Sequence, residues 1–273
     1  MFSPDDHRYM ARALRLAERG LFTTDPNPRV GCLLVRDGNV LGEGWHMRAG
    51  SPHAEVHALQ QAGGDAAGAT VYVTLEPCSH HGRTPPCASA LIEAGVARVV
   101  AAMQDPNPAV AGQGLQALRD AGIDVAAGLL EDQAGQLNPG FAMRMRLGRP
   151  WVRCKLAMSL DGRTAMASGE SRWITGSAAR EDVHRLRARS SAIMTGIDTV
   201  LADDPSLTAR LMGHDDGTLL QPLRVVLDSG LRLPPEAKLL MQPGETLVVT
   251  GVADAEREAI LARTGVSVVT LPT

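Results

Sequence analysis

Three residues of this 273-residue chain have the types and order to hold a metal: His53, Cys78 and Cys87. Glu55 lies two positions after the histidine, and Pro77 directly precedes the first cysteine. One imidazole and two thiolates leave a tetrahedral zinc one open position, which separates a catalytic site from a closed structural one. Their formal charges cancel that of the ion, yet the ion still lowers the pKa of a bound water toward neutrality. Glu55 falls in the first turn of a helix expected to start at His53, near enough to reach that water without being a ligand, so it is the candidate proton carrier. The alternative is a buried histidine with two structural cysteines, or a zinc that only holds the fold.

The order His-x-Glu, Pro-Cys, Cys corresponds to the zinc deaminase signature, in which activated water displaces an exocyclic amine from a nucleobase. One departure is plain: the signature has Cys-x-x-Cys, whereas Ser79 to Pro86 separate the cysteines here. That insertion can contribute to the substrate pocket. His80 and His81 lie in it, where substrate contact and a solvated loop stand equally open. His57, four residues after His53, is read as a packing or surface residue, and Cys32 and Cys154 as core side chains of strands.

The elements that must position these residues follow from periodicity. Met10, Ala13, Leu14 and Ala17 recur at helical spacing between Asp5 and Glu18, with Gly20 as a stop. Strands at 30–35 and 40–45 flank Asp37-Gly38, a tight hairpin turn. A helix from His53 to Gly63, a β-rich run at 69–77, a helix starting near Thr84-Pro85-Pro86-Cys87 and ending at Gly95, a strand at 98–103, a helix at 112–122 and a strand at 123–129 complete an α/β layer sandwich. A basic segment at 144–150 then precedes a second unit, so the expected domains are 1–147 and 148–273. The second unit is read as a strand at 151–162, a helix at about 177–189, a strand at 192–196, a loop at 198–210, and strands beginning at Leu223, Thr246 and Val266. It is expected to be incomplete, because Thr273 follows directly on a strand.

A formal net charge of −3 with scattered arginines argues against a nucleic-acid partner and for a small-molecule substrate. The N-terminus has charges where a signal peptide needs an apolar run, and no stretch suits a membrane span, so a cytoplasmic protein is expected. Four cysteines are too few for a disulfide scaffold of this length. Homo-oligomerisation is left open by the sequence.

With these residues placed, the segments PNPRVGCLLV, GEGWH, AGSPHAEVHAL, YVTLEPCSHHGRTPPC and QDPNPAVAGQG resemble the bifunctional deaminase/reductase family of riboflavin biosynthesis. KLAMSLDGRTAMASGESRWITG and TGIDTVLADDPSLTAR extend the resemblance into the second unit. It implies a cytidine-deaminase-like α/β/α sandwich followed by a dihydrofolate-reductase-like α/β domain, one Zn2+, NADPH, and a phosphorylated pyrimidine as substrate. The reactions implied are deamination of 2,5-diamino-6-ribosylamino-4(3H)-pyrimidinone 5′-phosphate and reduction of the ribosyl group of the product. By the same resemblance Asn27 and His46 line the pyrimidine pocket, the plainer reading being a turn asparagine and a strand-end histidine; of the inserted loop, His80 is the candidate substrate contact. Ala157, Trp173, Thr199 and Asp203 are implied to contact the nicotinamide cofactor. Ser171, Arg187, Leu207 and Arg210 are implied to contact the reductase substrate, with Lys155 near the reacting ribose. Arginines suit the phosphate because a guanidinium offers a bidentate fork, although a solvated charge is the plainer reading for both. Family members continue into a Gly-containing loop and helix that bind the cofactor phosphates, so the reductase step is expected to depend on a region this sequence lacks. The competing readings are another nucleobase or nucleotide deaminase, and an inactive zinc-stabilised binding module.

Overall fold

The computed structural model describes residues 1–79, 86–213 and 219–272. It consists of two compact units that divide between Arg153 and Cys154.

The first unit opens with α1 (Pro4–Glu18), fixed at its start by a capping box in which Ser3 and Asp6 exchange side-chain to backbone hydrogen bonds. The hairpin of β1 (Gly31–Arg36) and β2 (Asn39–Trp45) follows. Its turn places Asp37 and Gly38 at φ 52° and 78°, the left-handed pair a tight hairpin requires. Then come α2 (Ala54–Gln61), β3 (Thr70–Val73), α3 (Cys87–Glu93), β4 (Arg98–Ala101), α4 (Gln113–Asp120) and β5 (Asp124–Ala127). Two helices that the sequence reading missed, α5 (Glu131–Leu137) and α6 (Pro139–Leu147), end the unit.

The sheet runs β2-β1-β3-β4-β5, with β1 antiparallel to both neighbours and β3, β4 and β5 parallel. Period-two alternation divides its side chains between two cores. Leu33, Val35, Tyr72 and Val100 pack with α1 and α5 on one face. Cys32, Leu34, Val71, Val73, Val99 and Ala101 pack with α2, α3 and α4 on the other. The result is the expected three-layer sandwich, and Cys32 is a core side chain as read.

The second unit comprises α7 (Ser177–Ala188), β6 (Ala192–Gly196), α8 (Ile197–Asp203), β7 (Leu223–Leu227), a 3-10 turn at Lys238–Met241, β8 (Thr246–Thr250), α9 (Ala255–Ala262) and β9 (Val266–Thr270). Its four strands are parallel in the order β6-β7-β8-β9, with a core of Ile197, Val200, Val226, Leu233, Val248 and Leu261.

Two expectations are corrected here. Residues 151–162 form no strand, because no described strand pairs with them, and β-propensity without ladder partners does not make a strand. Cys154, expected in that strand's core, is therefore exposed. The segment expected as a loop from Asp198 instead begins as α8, since Ile197 and Val200 bury one helical face. Asp204 in the left-handed conformation ends that helix just before Pro205. Among the described residues no helix is long and apolar enough to cross a membrane.

Candidate functional site

Gly42 and Gly44 point from β2 toward α2, and a side chain at either would strike the helix backbone. A Cβ at Gly42 would lie 2.1 Å from the carbonyl of Ala58, and one at Gly44 2.3 Å from that of Ala54. This close packing fixes where α2 begins. His53 is its N-cap residue and Glu55 lies in its first turn. Cys87 opens α3, where the positive end of the helix dipole favours a thiolate.

These elements bring His53, Cys78 and Cys87 together, with all three donor atoms within 4.8 Å of one another. Nδ1 of His53 lies 3.3 Å from Sγ of Cys87 and 3.6 Å from Sγ of Cys78. Donors on a tetrahedral zinc, at about 2.0–2.3 Å from it, stand about 3.4–3.8 Å apart, so the set fits that ion. The backbone of α3 adds two bonds: Cys87 N–H donates to Sγ of Cys78 at 3.3 Å, and Ala88 N–H to the carbonyl of Cys78 at 3.1 Å.

The electrostatics suit a cation. The Cys87 thiol hydrogen-bonds Cys78 and, outweighing the opposing effect of burial, lowers the Cys78 thiol to about 4, with His53 contributing. Cys87 is correspondingly pushed up by Cys78, by burial and by Glu55. A bound cation would displace the thiol protons, because the thiolate is the metal ligand. The Cys78 contact raises His53 despite its burial. Glu55 is buried, which lifts its carboxyl to about 7, the range that suits a group moving protons at neutral pH.

Asn27 and His46 adjoin this cluster. His46 Nδ1 lies 3.2 Å from the carbonyl of Pro52, which can only accept, so Nδ1 carries the proton and Nε2 accepts from Asn27 Nδ2 at 3.1 Å. Burial keeps the His46 imidazole below its usual value, and its ring packs edge-on to His53 at 5.5 Å. His80 lies outside the described residues. His57 is half-buried on α2, and its Nε2 has no hydrogen-bond partner among the described residues.

Two residues that sequence reasoning did not single out organise the site. Asn138 is buried and pairs both ways with the backbone of Arg29, accepting from its N–H at 2.8 Å and donating to its carbonyl at 2.9 Å. That pins the segment carrying Asn27 across a sequence separation of 109 residues, which no local pattern reveals. Glu76 is also buried, and its carboxylate accepts four backbone N–H bonds, from Asp105, Gly112, Gly114 and Leu115. A charged residue in the apolar run before Pro77-Cys78 was the available signal.

In the second unit, Arg187 and Arg210 converge on Thr208. Arg187 donates to its carbonyl at 3.3 Å and Arg210 to its hydroxyl at 3.0 Å, while Arg210 also contacts Nε2 of His184 at 3.2 Å. Burial and the neighbouring Arg210 lower the pKa of Arg187. Among the described residues neither arginine pairs with a carboxylate, and both guanidiniums meet at Thr208. Leu207 adjoins it, buried and at φ 51°. Thr199 and Asp203 lie on α8, and Arg172 donates to the carbonyl of Asp203 at 2.8 Å, drawing Ser171 and Trp173 to the end of that helix. Trp173 is exposed under the guanidinium of Arg180. Lys155 and Ala157 lie in the extended segment before the first turn, and no hydrogen bond or ion pair among the described residues ties them to these groups.

Comparison with known proteins accounts for both halves. Residues 3–103 match the cytidine and deoxycytidylate deaminase zinc-binding region, and residues 150–272 the RibD C-terminal domain. The riboflavin biosynthesis protein RibD of Escherichia coli K12 is 63% identical over 249 residues, covering 88% of this chain and 68% of that protein. The RibD of Haemophilus influenzae is 58% identical over 248 residues, covering 88% and 67%. Among solved structures, Acinetobacter baumannii RibD superposes with a TM-score of 0.92 at 55% identity, covering 98% of this chain and 74% of that one. A Thermotoga maritima diaminohydroxyphosphoribosylaminopyrimidine deaminase/5-amino-6-(5-phosphoribosylamino)uracil reductase gives 0.85 at 38% identity, covering 96% and 80%. A metal cluster built for zinc on a deaminase sandwich, fused to a unit of the reductase type, is thus matched along nearly the whole chain, and the chain belongs to the RibD family.

Proposed function

We propose that this chain carries out two consecutive steps of riboflavin biosynthesis. The first is zinc-dependent hydrolysis of 2,5-diamino-6-ribosylamino-4(3H)-pyrimidinone 5′-phosphate to 5-amino-6-(5-phosphoribosylamino)uracil and ammonia. The second is NADPH-dependent reduction of the ribosyl group to ribityl. The observation that carries the first step is the convergence of His53, Cys78 and Cys87 beside the buried carboxyl of Glu55.

In this reading His53 Nδ1 and the two sulfurs hold the zinc, whose chemistry is to make water nucleophilic at neutral pH. Glu55 takes a proton from the attacking water and delivers it to a ring nitrogen, then takes the remaining proton from the hydroxyl on the attacked carbon and gives it to the departing amine. The carbon–nitrogen bond breaks as a carbonyl forms, and ammonia leaves. Burial supports this role, because a carboxyl near pH 7 can both accept and return a proton. His46, held as the Nδ1–H tautomer, orients Asn27 toward the pyrimidine, and Asn138 supports the segment that carries it. His80 is assigned to substrate contact from its place in the sequence between the two cysteines.

For the second step, the two guanidiniums of Arg187 and Arg210, brought together at Thr208, support binding of the substrate phosphate, with Ser171 and Leu207 beside it. Thr199, Asp203, Trp173 and Ala157 are assigned to the cofactor, and Lys155 to the reacting ribose. The substrate is a small phosphorylated pyrimidine and not a nucleic acid, in keeping with a net charge of −3. We read the compartment as the cytoplasm, which the four free thiols support.

The test is ammonia release from the diaminopyrimidinone phosphate, with cytidine as a control. The reading requires release that stops on chelation and returns with zinc. Equal turnover of cytidine would favour a general nucleoside deaminase.

A further inference from the structure

The N-terminus of α4 lacks a cap of its own. Its N-cap is Gly112, at φ 82° and without a side chain, so the cap residue offers no side-chain acceptor; Gln113 N–H turns back to the Val110 carbonyl at 3.1 Å. Glu76 supplies one from a different element. One oxygen accepts from Gly114 at 2.9 Å and Leu115 at 3.2 Å, the other from Gly112 at 2.9 Å and Asp105 at 3.0 Å. All the bonds are made by a buried carboxylate at the positive end of a helix dipole, where such bonds are strongest. The contact is close enough to exclude a side chain, since a Cβ at Gly114 would lie 1.9 Å from the carbonyl of Pro77.

Glu76 is joined to Cys78 through Pro77 alone. Cys78 is thus held by α3 on one side, through Cys87 and Ala88, and by α4 on the other, through Glu76. Pro77, Cys78, Ser79, Asp105 and Val110 line a small cleft with Glu76, and Glu76 bonds the backbone of Asp105 and Gly112 on either side of Val110.

We propose that Glu76 is a positioning residue for the deamination, locking the Cys78 sulfur and the Asp105–Val110 wall of the cleft into one rigid unit. The proposal rests on the zinc deaminase reading. Its substrate-facing consequence is that the wall sets how the pyrimidine is held against the zinc side of the site, while the carboxylate itself touches neither.

Glu76→Gln keeps shape and size but turns an amide donor toward two of the four N–H groups. Outer-shell changes of this kind cost about 10–100-fold in metal affinity or activity. KM for the diaminopyrimidinone phosphate is therefore expected to rise about tenfold with kcat within about threefold, and transfer of zinc to a chromophoric chelator to quicken about tenfold. If Glu76→Gln does not fold, Gly114→Ala displaces the Pro77 carbonyl from the other side with the carboxylate intact, and should move both readouts the same way. A folded variant with wild-type KM, or with wild-type zinc release, overturns the proposal even if its melting temperature falls. Wild-type protein that releases no ammonia sinks the deaminase reading instead, and the two failures are told apart by that control.

Discussion

Nδ1 of His53 stands 3.3 Å from Sγ of Cys87, although 34 residues separate them. Each residue begins a helix, and both helices pack on the same face of the sheet. The metal site is thus set by where two helices start, and Glu55 follows automatically into the first turn of one of them.

Glu55→Gln should retain one zinc per chain while ammonia release falls about 1000-fold, within the range for loss of a general acid–base group. Zinc analysis beside steady-state kinetics checks this. A variant with wild-type turnover would remove Glu55 from the proton path.

Gly44→Ala probes how α2 is placed. The added methyl meets the Ala54 carbonyl at 2.3 Å, so the helix must shift at its His53 end. We expect about 2 kcal/mol of destabilisation, from overpacking. Zinc affinity should weaken with it, as read by denaturant titration and competition with a chelator. Unchanged zinc affinity would mean that α2 can move without carrying His53 with it.

Asp6 governs an acid-sensitive contribution to stability. Burial alone would raise its carboxyl, but hydrogen bonds from Arg98, Ser3 and Tyr72 outweigh that and hold it well below the ordinary carboxylate range. A carboxylate whose pKa is lowered by folding stabilises fully above its unfolded value, about 3.9, and loses that contribution as pH falls below it. Asp6→Asn should therefore cost about 3 kcal/mol at pH 7, as expected when one partner of a buried ion pair is removed. The gap from wild type should narrow below about pH 4. A gap that stays constant down to pH 2 would show that Asp6 acts through packing and not through charge.

Arg210 tests the proposed phosphate site of the second unit. Arg210→Ala should weaken binding of ribose 5-phosphate at least about tenfold, the loss expected for a charge-assisted contact of about 1.5 kcal/mol or more. Calorimetric titration gives the answer, and unchanged affinity would leave the cluster a solvated patch.

Much of this architecture was legible in the sequence because it rests on local patterns. The hairpin was marked by Asp37-Gly38, and the start of α3 by the prolines of Thr84-Pro85-Pro86-Cys87. The metal cluster could be read because its residue types are chemically restrictive. What escaped were features set by distant partners. The run at 151–162 has strand composition but no strand beside it. The polar look of Asp198 to Asp203 hid a helix anchored by only Ile197 and Val200. Asn138 and Glu76 act on backbone groups 109 and 29–39 residues away, so local composition does not name their partners, even where, as for Glu76, a charge in an apolar run marks the residue itself.

The zinc K-edge absorption of the metal-loaded protein tests the central claim most directly. The account predicts two sulfurs at about 2.3 Å and two nitrogen or oxygen neighbours at about 2.0–2.1 Å, one from His53 and one from water. A first shell of three or four sulfurs, or of nitrogen and oxygen alone, would contradict it.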